Sequence, residues 1–332
     1  MTDFDAVLIV SFGGPEGPDD VVPFLRNVTR GRDIPDERLA IVGAHYARFD
    51  GVSPINEQCR RLQSALGEEL RRAGHDLPVY WGNRNWDPYL TDTVRQMADD
   101  GISNVLAIAT SAYSSYSGCR QYLDDIDAAR ASVGPTAPAI TKLRQFFDHP
   151  GFVEPFRDGV AAAASRLGSD APLVFTAHSI PTAMTDGCDY EQQLQATAAL
   201  IAEASPQARW DLVWQSRSGP PSMPWLEPDI NDHLTALAAE GVERAIVVPI
   251  GFVSDHMEVV WDLDTEAQET ADRLGISIER VGTPGTAPDP RFVAMWRELI
   301  EEQIHDSSPR RLSALPERPI PCAVGCCASG RP

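Results

Sequence analysis

The chain has 332 residues, 43% of them hydrophobic, and a formal net charge of −20 at pH 7. That length fills one large domain or two of ordinary size. The charge excludes a general nucleic-acid binder, which needs clustered Lys and Arg for phosphate contacts, and suits a small cationic substrate better than a polyanion. No run approaches the roughly 18 to 20 apolar residues that span a bilayer, and Met1-Thr2-Asp3-Phe4-Asp5 lacks the basic start of a secretory signal. A cytoplasmic protein without a transmembrane segment is therefore expected. Of the 28 basic residues only Lys142 is lysine, which reads as compositional bias.

The first predicted strand runs over residues 6–11, followed by the turn Gly13-Gly14-Pro15 and a helix from about Asp19. Short apolar runs suited to buried parallel strands recur at 79–81, 105–110, 173–177, 212–215 and 245–250. Helical stretches lie between them at 56–73, 90–99, 155–167 and 190–204. The alternation predicts an α/β fold, and its repetition predicts two similar doubly wound parallel-sheet (Rossmann-like) domains around a cleft. Asp148-His149-Pro150-Gly151 marks the junction, giving an N-terminal domain over 1–150, a C-terminal domain over 151–315 and a Cys-rich tail over 316–332. Ligands of such folds sit beyond the carboxyl ends of the strands. Neither a Gly-x-Gly-x-x-Gly fingerprint nor a Walker sequence is present, so no nucleotide cofactor is expected.

Two segments at strand ends of the second half carry chemistry. His178 precedes Ser179-Ile180-Pro181 where a turn begins, placing a neutral imidazole at the cleft. After the strand at 245–250 the chain enters a predicted helix with Glu258, Asp262 and Glu266 at i, i+4 and i+8, on one face and about 6 Å apart along the axis. No Lys or Arg lies between Asp255 and Glu269, so the like charges repel locally. A solvated acidic face explains such a pattern; handling of a cation or of protons explains it together with His178.

Six cysteines in a long chain from a reducing compartment do not read as a disulfide framework. Cys59, Cys119 and Cys188 are scattered, whereas Cys322, Cys326 and Cys327 crowd a tail with little apolar mass to bury them. Metal ligation or redox chemistry accounts for them better.

Five segments, in order and spread over nearly the whole chain, resemble the ferrochelatase family. They are Ser11-Phe12-Gly13-Gly14-Pro15-Glu16; Gly51-Val52-Ser53-Pro54-Ile55; Thr176-Ala177-His178-Ser179-Ile180-Pro181; Trp214-Gln215-Ser216-Arg217-Ser218-Gly219-Pro220 with Trp225-Leu226-Glu227-Pro228; and Pro249-Ile250-Gly251-Phe252-Val253-Ser254-Asp255-His256-Met257-Glu258. The resemblance implies insertion of ferrous iron into a free-base porphyrin, with His178 and Glu258 as the metal and proton site and Asp262 and Glu266 as an outer relay. Which of His178 and Glu258 takes the proton is left open. It also implies that Arg30, Tyr46, Ser53 and Tyr122 contact the porphyrin propionates, and that residues 21–28 form an apolar lip. Phe12 stands where some bacterial relatives carry a Tyr able to ligate iron, and Asn85 where some carry His. The tail resembles that of members holding a 2Fe-2S cluster, which implies Cys119, Cys322, Cys326 and Cys327 as its ligands; structural zinc is the alternative. The tail and Gly118-Cys119-Arg120-Gln121-Tyr122 resemble the actinobacterial members, favouring coproporphyrin III over protoporphyrin IX. A cobalt or nickel chelatase and a non-catalytic tetrapyrrole carrier are the other readings. An iron donor or a downstream heme-pathway enzyme is a possible partner.

Overall fold

In the computed structural model, which describes residues 4–31, 34–207, 209–219, 222–323 and 325–329, the strands form two parallel four-stranded sheets. The first contains β1 (Ala6–Ser11), β2 (Val79–Asn83), β3 (Asn104–Ala109) and β4 (Ala139–Lys142), in the order β2-β1-β3-β4. The second contains β5 (Leu173–His178), β6 (Trp210–Gln215), β7 (Arg244–Val248) and β8 (Ser277–Arg280), in the equivalent order β6-β5-β7-β8. Each half therefore reverses direction beside its first strand, between β1 and β3 and between β5 and β7. Carboxyl-terminal loops diverge at that point and leave a crevice. All six residues of β1 are buried, which is why Ala-Val-Leu-Ile-Val-Ser shows no polar alternation.

The helices are α1 (Val21–Val28), α2 (Asp36–Ala47), α3 (Ile55–Arg72), α4 (Leu90–Asp99), α5 (Gln121–Val133) and α6 (Pro150–Leu167) in the first half of the chain. They continue with α7 (Thr182–Thr185), α8 (Tyr190–Ala202), α9 (Ile230–Ala239), α10 (Met257–Trp261), α11 (Gln268–Leu274) and α12 (Pro290–His305). The sixth helix starts five residues before the expected 155. Pro150 occupies its first position, where no N–H is needed, and His149 caps it by accepting from the Gly151 amide at 3.1 Å. The junction segment 148–151 is buried, not an exposed linker.

Sequence reading omitted β4 and β8 and, among the longer helices, α2, α5, α9 and α12. Both strands are four-residue edges with one partner each, so polar Thr141, Lys142, Glu279 and Arg280 are tolerated and no apolar run forms. The last helix packs on α6 and α3, burying Phe292 and Trp296 beside Phe146 and Phe152. One apolar cluster consequently runs from Val7 and Ile9 of β1 to Leu173 and Phe175 of β5 through α12, making a shared core between the halves. Among the described residues no helix is long and apolar enough to cross a membrane.

Candidate active site and thiol centre

His178 is the last residue of β5, and Glu258 lies in the first turn of α10, reached from β7. The switch point of the second sheet thus brings them together, with His178 Nε2 and Glu258 Oε2 3.7 Å apart. The ring is oriented from behind: Nδ1–H donates to the Ser179 carbonyl, leaving Nε2 toward Glu258. His256 caps α10, its Nδ1 accepting from the Glu258 amide at 3.2 Å. Burial in the cleft acts to lower the His178 pKa, but the Glu258 charge and contact, the Ser179 carbonyl and Asp262 outweigh it and raise it to about 9. Burial conversely acts to raise Glu258, and the His178 charge and contact with help from His256 pull it down to about 2. Each partner thus pulls the other toward its charged form, where the sequence suggested a neutral imidazole.

Asp262 extends this pair. Ser216 donates its hydroxyl to Asp262 Oδ2, and Gln215 Nε2 reaches the same oxygen at 3.3 Å and the Glu258 carbonyl at 3.1 Å. Burial, with Glu258 and Glu266 adding repulsion against Ser216 and His178, raises the Asp262 pKa to about 7. Ser216 takes a left-handed φ of 60°, unusual for a residue with a Cβ and common at functional turns. The predicted continuous helix is interrupted: α10 ends at Trp261 and a π-helical turn covers Asp262–Ala267. The wider turn takes Glu266 off the i, i+4 line, and Glu266 is exposed where Asp262 is half-buried. Charge relief absent from the local sequence comes from β8, where Arg280 bonds Asp255 at 3.0 Å and Asp264 at 2.5 Å.

Of the four residues assigned to propionates, Tyr46 clusters with Met257, the neighbour of Glu258. It is buried on α2 with Val21, Phe24, Leu25, Leu39 and Met257, and burial together with the Glu258 charge pushes its phenol well above the ordinary range. The other three lie in different surroundings. Arg30 is exposed after α1 and donates to Asn27 Oδ1 at 2.7 Å. Ser53 is buried so tightly under the loop after β1 that a Cβ at Gly14 would stand 2.6 Å from its own. Tyr122 is buried in the first-domain core.

Sequence reasoning missed Arg84, His45 and Trp261. Arg84 pairs with Asp125 and lies over the rings of Tyr122 and Phe12, 4.8 and 5.7 Å from their centroids. His45 of α2 stacks on Trp261 of α10 at 4.0 Å and 6°, while Arg48 covers the same indole at 5.4 Å and meets Glu269 at 3.4 Å. Helix α2, packed against α1 around Phe24 and Tyr46, is thereby bridged to the helix that carries Glu258.

The cysteines of the tail converge on the first domain. Cys119 is buried in a π-helical turn, Tyr116–Arg120, and accepts from Gln145 Nε2 at 2.7 Å. Hydrogen bonds from the Cys322 and Cys327 thiols, opposed by burial and helped by Lys142, drive Cys119 strongly toward thiolate; those two thiols are raised in turn. Cys326 and Cys327 have sulfurs 3.5 Å apart, and Arg318 Nη1 donates to them at 3.2 and 3.9 Å. Lys142, the chain's one lysine, is buried here and donates to the Leu143 carbonyl at 2.9 Å. Among the described residues no group of three or more His, Cys, Asp or Glu is arranged to hold a single metal ion. Cys59 is buried and its thiol pushed up to about 11 by that burial, and Cys188 bonds the Met184 carbonyl at 3.2 Å.

The ferrochelatase family profile matches residues 4–304. A coproporphyrin III ferrochelatase of Nocardia farcinica is 53% identical, over 98% of this chain and 97% of that protein. One of Mycolicibacterium smegmatis is 53% identical over 99% and 97%, and one of Streptomyces coelicolor 51% over 99% and 94%. Among solved structures, SirB from Bacillus subtilis with Fe3+ superposes with a TM-score of 0.58 at 11% identity, covering 91% of this chain and 98% of that one. The last likeness is one of fold, two parallel sheets flanked by helices. Sequence identity at this level and a profile spanning both sheets establish more than fold, and this chain belongs to the ferrochelatase family.

Proposed function

We propose that this protein inserts ferrous iron into coproporphyrin III to give iron-coproporphyrin III, in heme synthesis. The observation that carries the reading is the His178–Glu258 pair at the switch point of the second sheet, whose Glu258 charge reaches the buried Tyr46 phenol. The coproporphyrin III in the names of the relatives supports this choice of porphyrin. Insertion releases two pyrrole protons as the ferrous ion sheds its water. A dication approaching the pair repels the proton on His178 Nε2; in this reading that proton passes to the Asp262 carboxylate, leaving a lone pair on Nε2 to take a pyrrole proton while the Ser179 carbonyl still fixes Nδ1–H. Asp262, titrating near neutral pH, is matched to pass protons outward, and the exposed Glu266 meets solvent. Arg30, Tyr46, Ser53 and Tyr122 serve the propionates in this reading, with Arg84, which lies over the Tyr122 ring, as a further guanidinium. The test is anaerobic absorbance spectroscopy with ferrous iron. Turnover with a higher kcat/KM for coproporphyrin III than for protoporphyrin IX supports the proposal. Binding without insertion would identify a carrier, and turnover only with cobalt or nickel another chelatase.

We further propose that Cys119, Cys322, Cys326 and Cys327 hold a 2Fe-2S cluster. Four thiols gathered beside Lys142 and Arg318 suit a four-thiolate cluster, whose net negative charge those cations offset. Insertion of ferrous iron transfers no electron, so the group supplies structural or regulatory chemistry rather than a catalytic step. In this reading residues 316–332 are a tail clamped onto the domain of residues 1–150, with residues 151–315 as the second domain. Cysteines that serve as cluster ligands and not as a disulfide framework suit a cytoplasmic location. An iron donor or the next heme-pathway enzyme would be a passing partner.

A further inference from the structure

Arg318 stands at the start of the Cys-rich tail and faces two ways. Its Nη1 donates to the sulfurs of Cys326 and Cys327, while Nε and Nη2 hold Asp189 Oδ2, each at 2.6 Å. Asp189 occupies the N-cap of α8, yet its carboxylate makes no capping hydrogen bond. An Asp in that position ordinarily accepts from the first N–H groups of its helix. Here the carboxylate is turned from the helix end onto the tail. The next residue, Tyr190, is buried, and its hydroxyl donates to the His178 carbonyl at 3.0 Å. That carbonyl needs support, because the pairing of β5 with β7 stops at Phe175 while the pairing with β6 continues to His178. From tail to active site there are thus consecutive contacts: the thiols, Arg318, Asp189 and the first turn of α8, Tyr190, and the main chain of His178.

We propose that Arg318 and Asp189 are positioning residues for iron insertion: they hold the first turn of α8 so that Tyr190 fixes the His178 main chain, which ties the order of the tail to the geometry of the catalytic imidazole. The inference rests on the proposed iron insertion, and not on what the thiols bind. Asp189→Asn cuts the link without touching a cysteine. It should lower kcat about three- to tenfold, the range of coupling through packed networks, with the KM for coproporphyrin III and the bound iron of the purified protein unchanged. Arg318→Lys should keep most of the activity that Arg318→Met loses. Combining Asp189→Asn with Tyr190→Phe should be no slower than the slower single variant, because both break one path. Amide hydrogen exchange gives a readout independent of turnover: segments 176–182 and 186–194 should exchange faster in Asp189→Asn than in the parent. Full kcat in Asp189→Asn, losses that multiply in the double variant, or unchanged exchange in both segments would each overturn the link. If Arg318→Met fails to fold, the near-isosteric Asp189→Asn decides alone. A parent protein that inserts no iron while exchange still responds would remove the functional reading and leave the link standing.

Discussion

His178 and Glu258 hold each other in the charged state, so each is needed for the other's chemistry. Removing either, as His178→Ala or Glu258→Gln, should cut turnover by about two orders of magnitude, the scale of a lost acid or base group. Porphyrin binding, followed by fluorescence quenching, should be largely kept; near-normal turnover in either variant would refute the assignment. Asp262 gives a prediction with a definite sign. Its pKa rises from an ordinary 3.8 to about 7 on folding, so between those values the folded chain keeps a proton that the unfolded chain has released. Stability from this group is therefore lost as pH rises through that window. Asp262→Asn can still accept from Ser216 and has nothing to ionise. The difference in Tm, variant minus parent, should become more positive from pH 5 to pH 8. A difference that is flat or reversed across that range contradicts the raised pKa. The His178–Glu258 pair runs in another window. Its contribution is present between the unfolded pKa values, lost as pH falls through about 2 for Glu258 and as it rises through about 9 for His178. Glu258 is half exposed, so that contribution is small.

At the scale of elements, what could be read from sequence is what local pattern determines. The apolar runs of β1, β5 and β7 show because central parallel strands are buried on both faces, and His178 shows because it terminates one of them. Edge strands β4 and β8 lack that pattern and escaped. The π-helical turn at Asp262–Ala267 was equally hidden, since no residue type marks it, and so the carboxylates were placed on a regular face that the chain does not keep. Arg280 pairs with Asp255 and Asp264 from a strand the sequence did not reveal. The His45–Trp261 stack joins residues far apart in the chain, and only the fold brings them together. A stacked aromatic pair is worth about 0.5–1.5 kcal/mol beyond its buried area. His45→Ala should then speed release of bound porphyrin about three- to tenfold in a stopped-flow displacement experiment, with little change in the chemical step. An unchanged release rate would show that α1 and α2 are held against α10 by their apolar cluster alone.

At the scale of the whole molecule, two halves of the same strand order face each other across their switch points, share one apolar core through α12, and are spanned again by the tail. Composition alone made Lys142 look incidental, and the fold places it at the thiol centre. If the four cysteines hold a 2Fe-2S cluster, the anaerobically purified protein should be red-brown, with about two iron and about two acid-labile sulfide per chain. Replacing Cys119, Cys322, Cys326 or Cys327 with Ser should each bleach it and leave the tail open to limited proteolysis. Stoichiometric zinc in a colourless protein would substitute a structural zinc site. Lys142 then supplies the finer test. A buried cation beside a ligand sulfur stabilises the reduced cluster, which carries one more negative charge, so Lys142→Met should lower the reduction potential while Lys142→Arg keeps it near the parent value. The potential is read by spectroelectrochemistry on protein whose iron content matches the parent. A Lys142→Met variant with full cluster and unshifted potential would mean that the ammonium serves only its hydrogen bond to Leu143, and that the charge of the centre is balanced by Arg318.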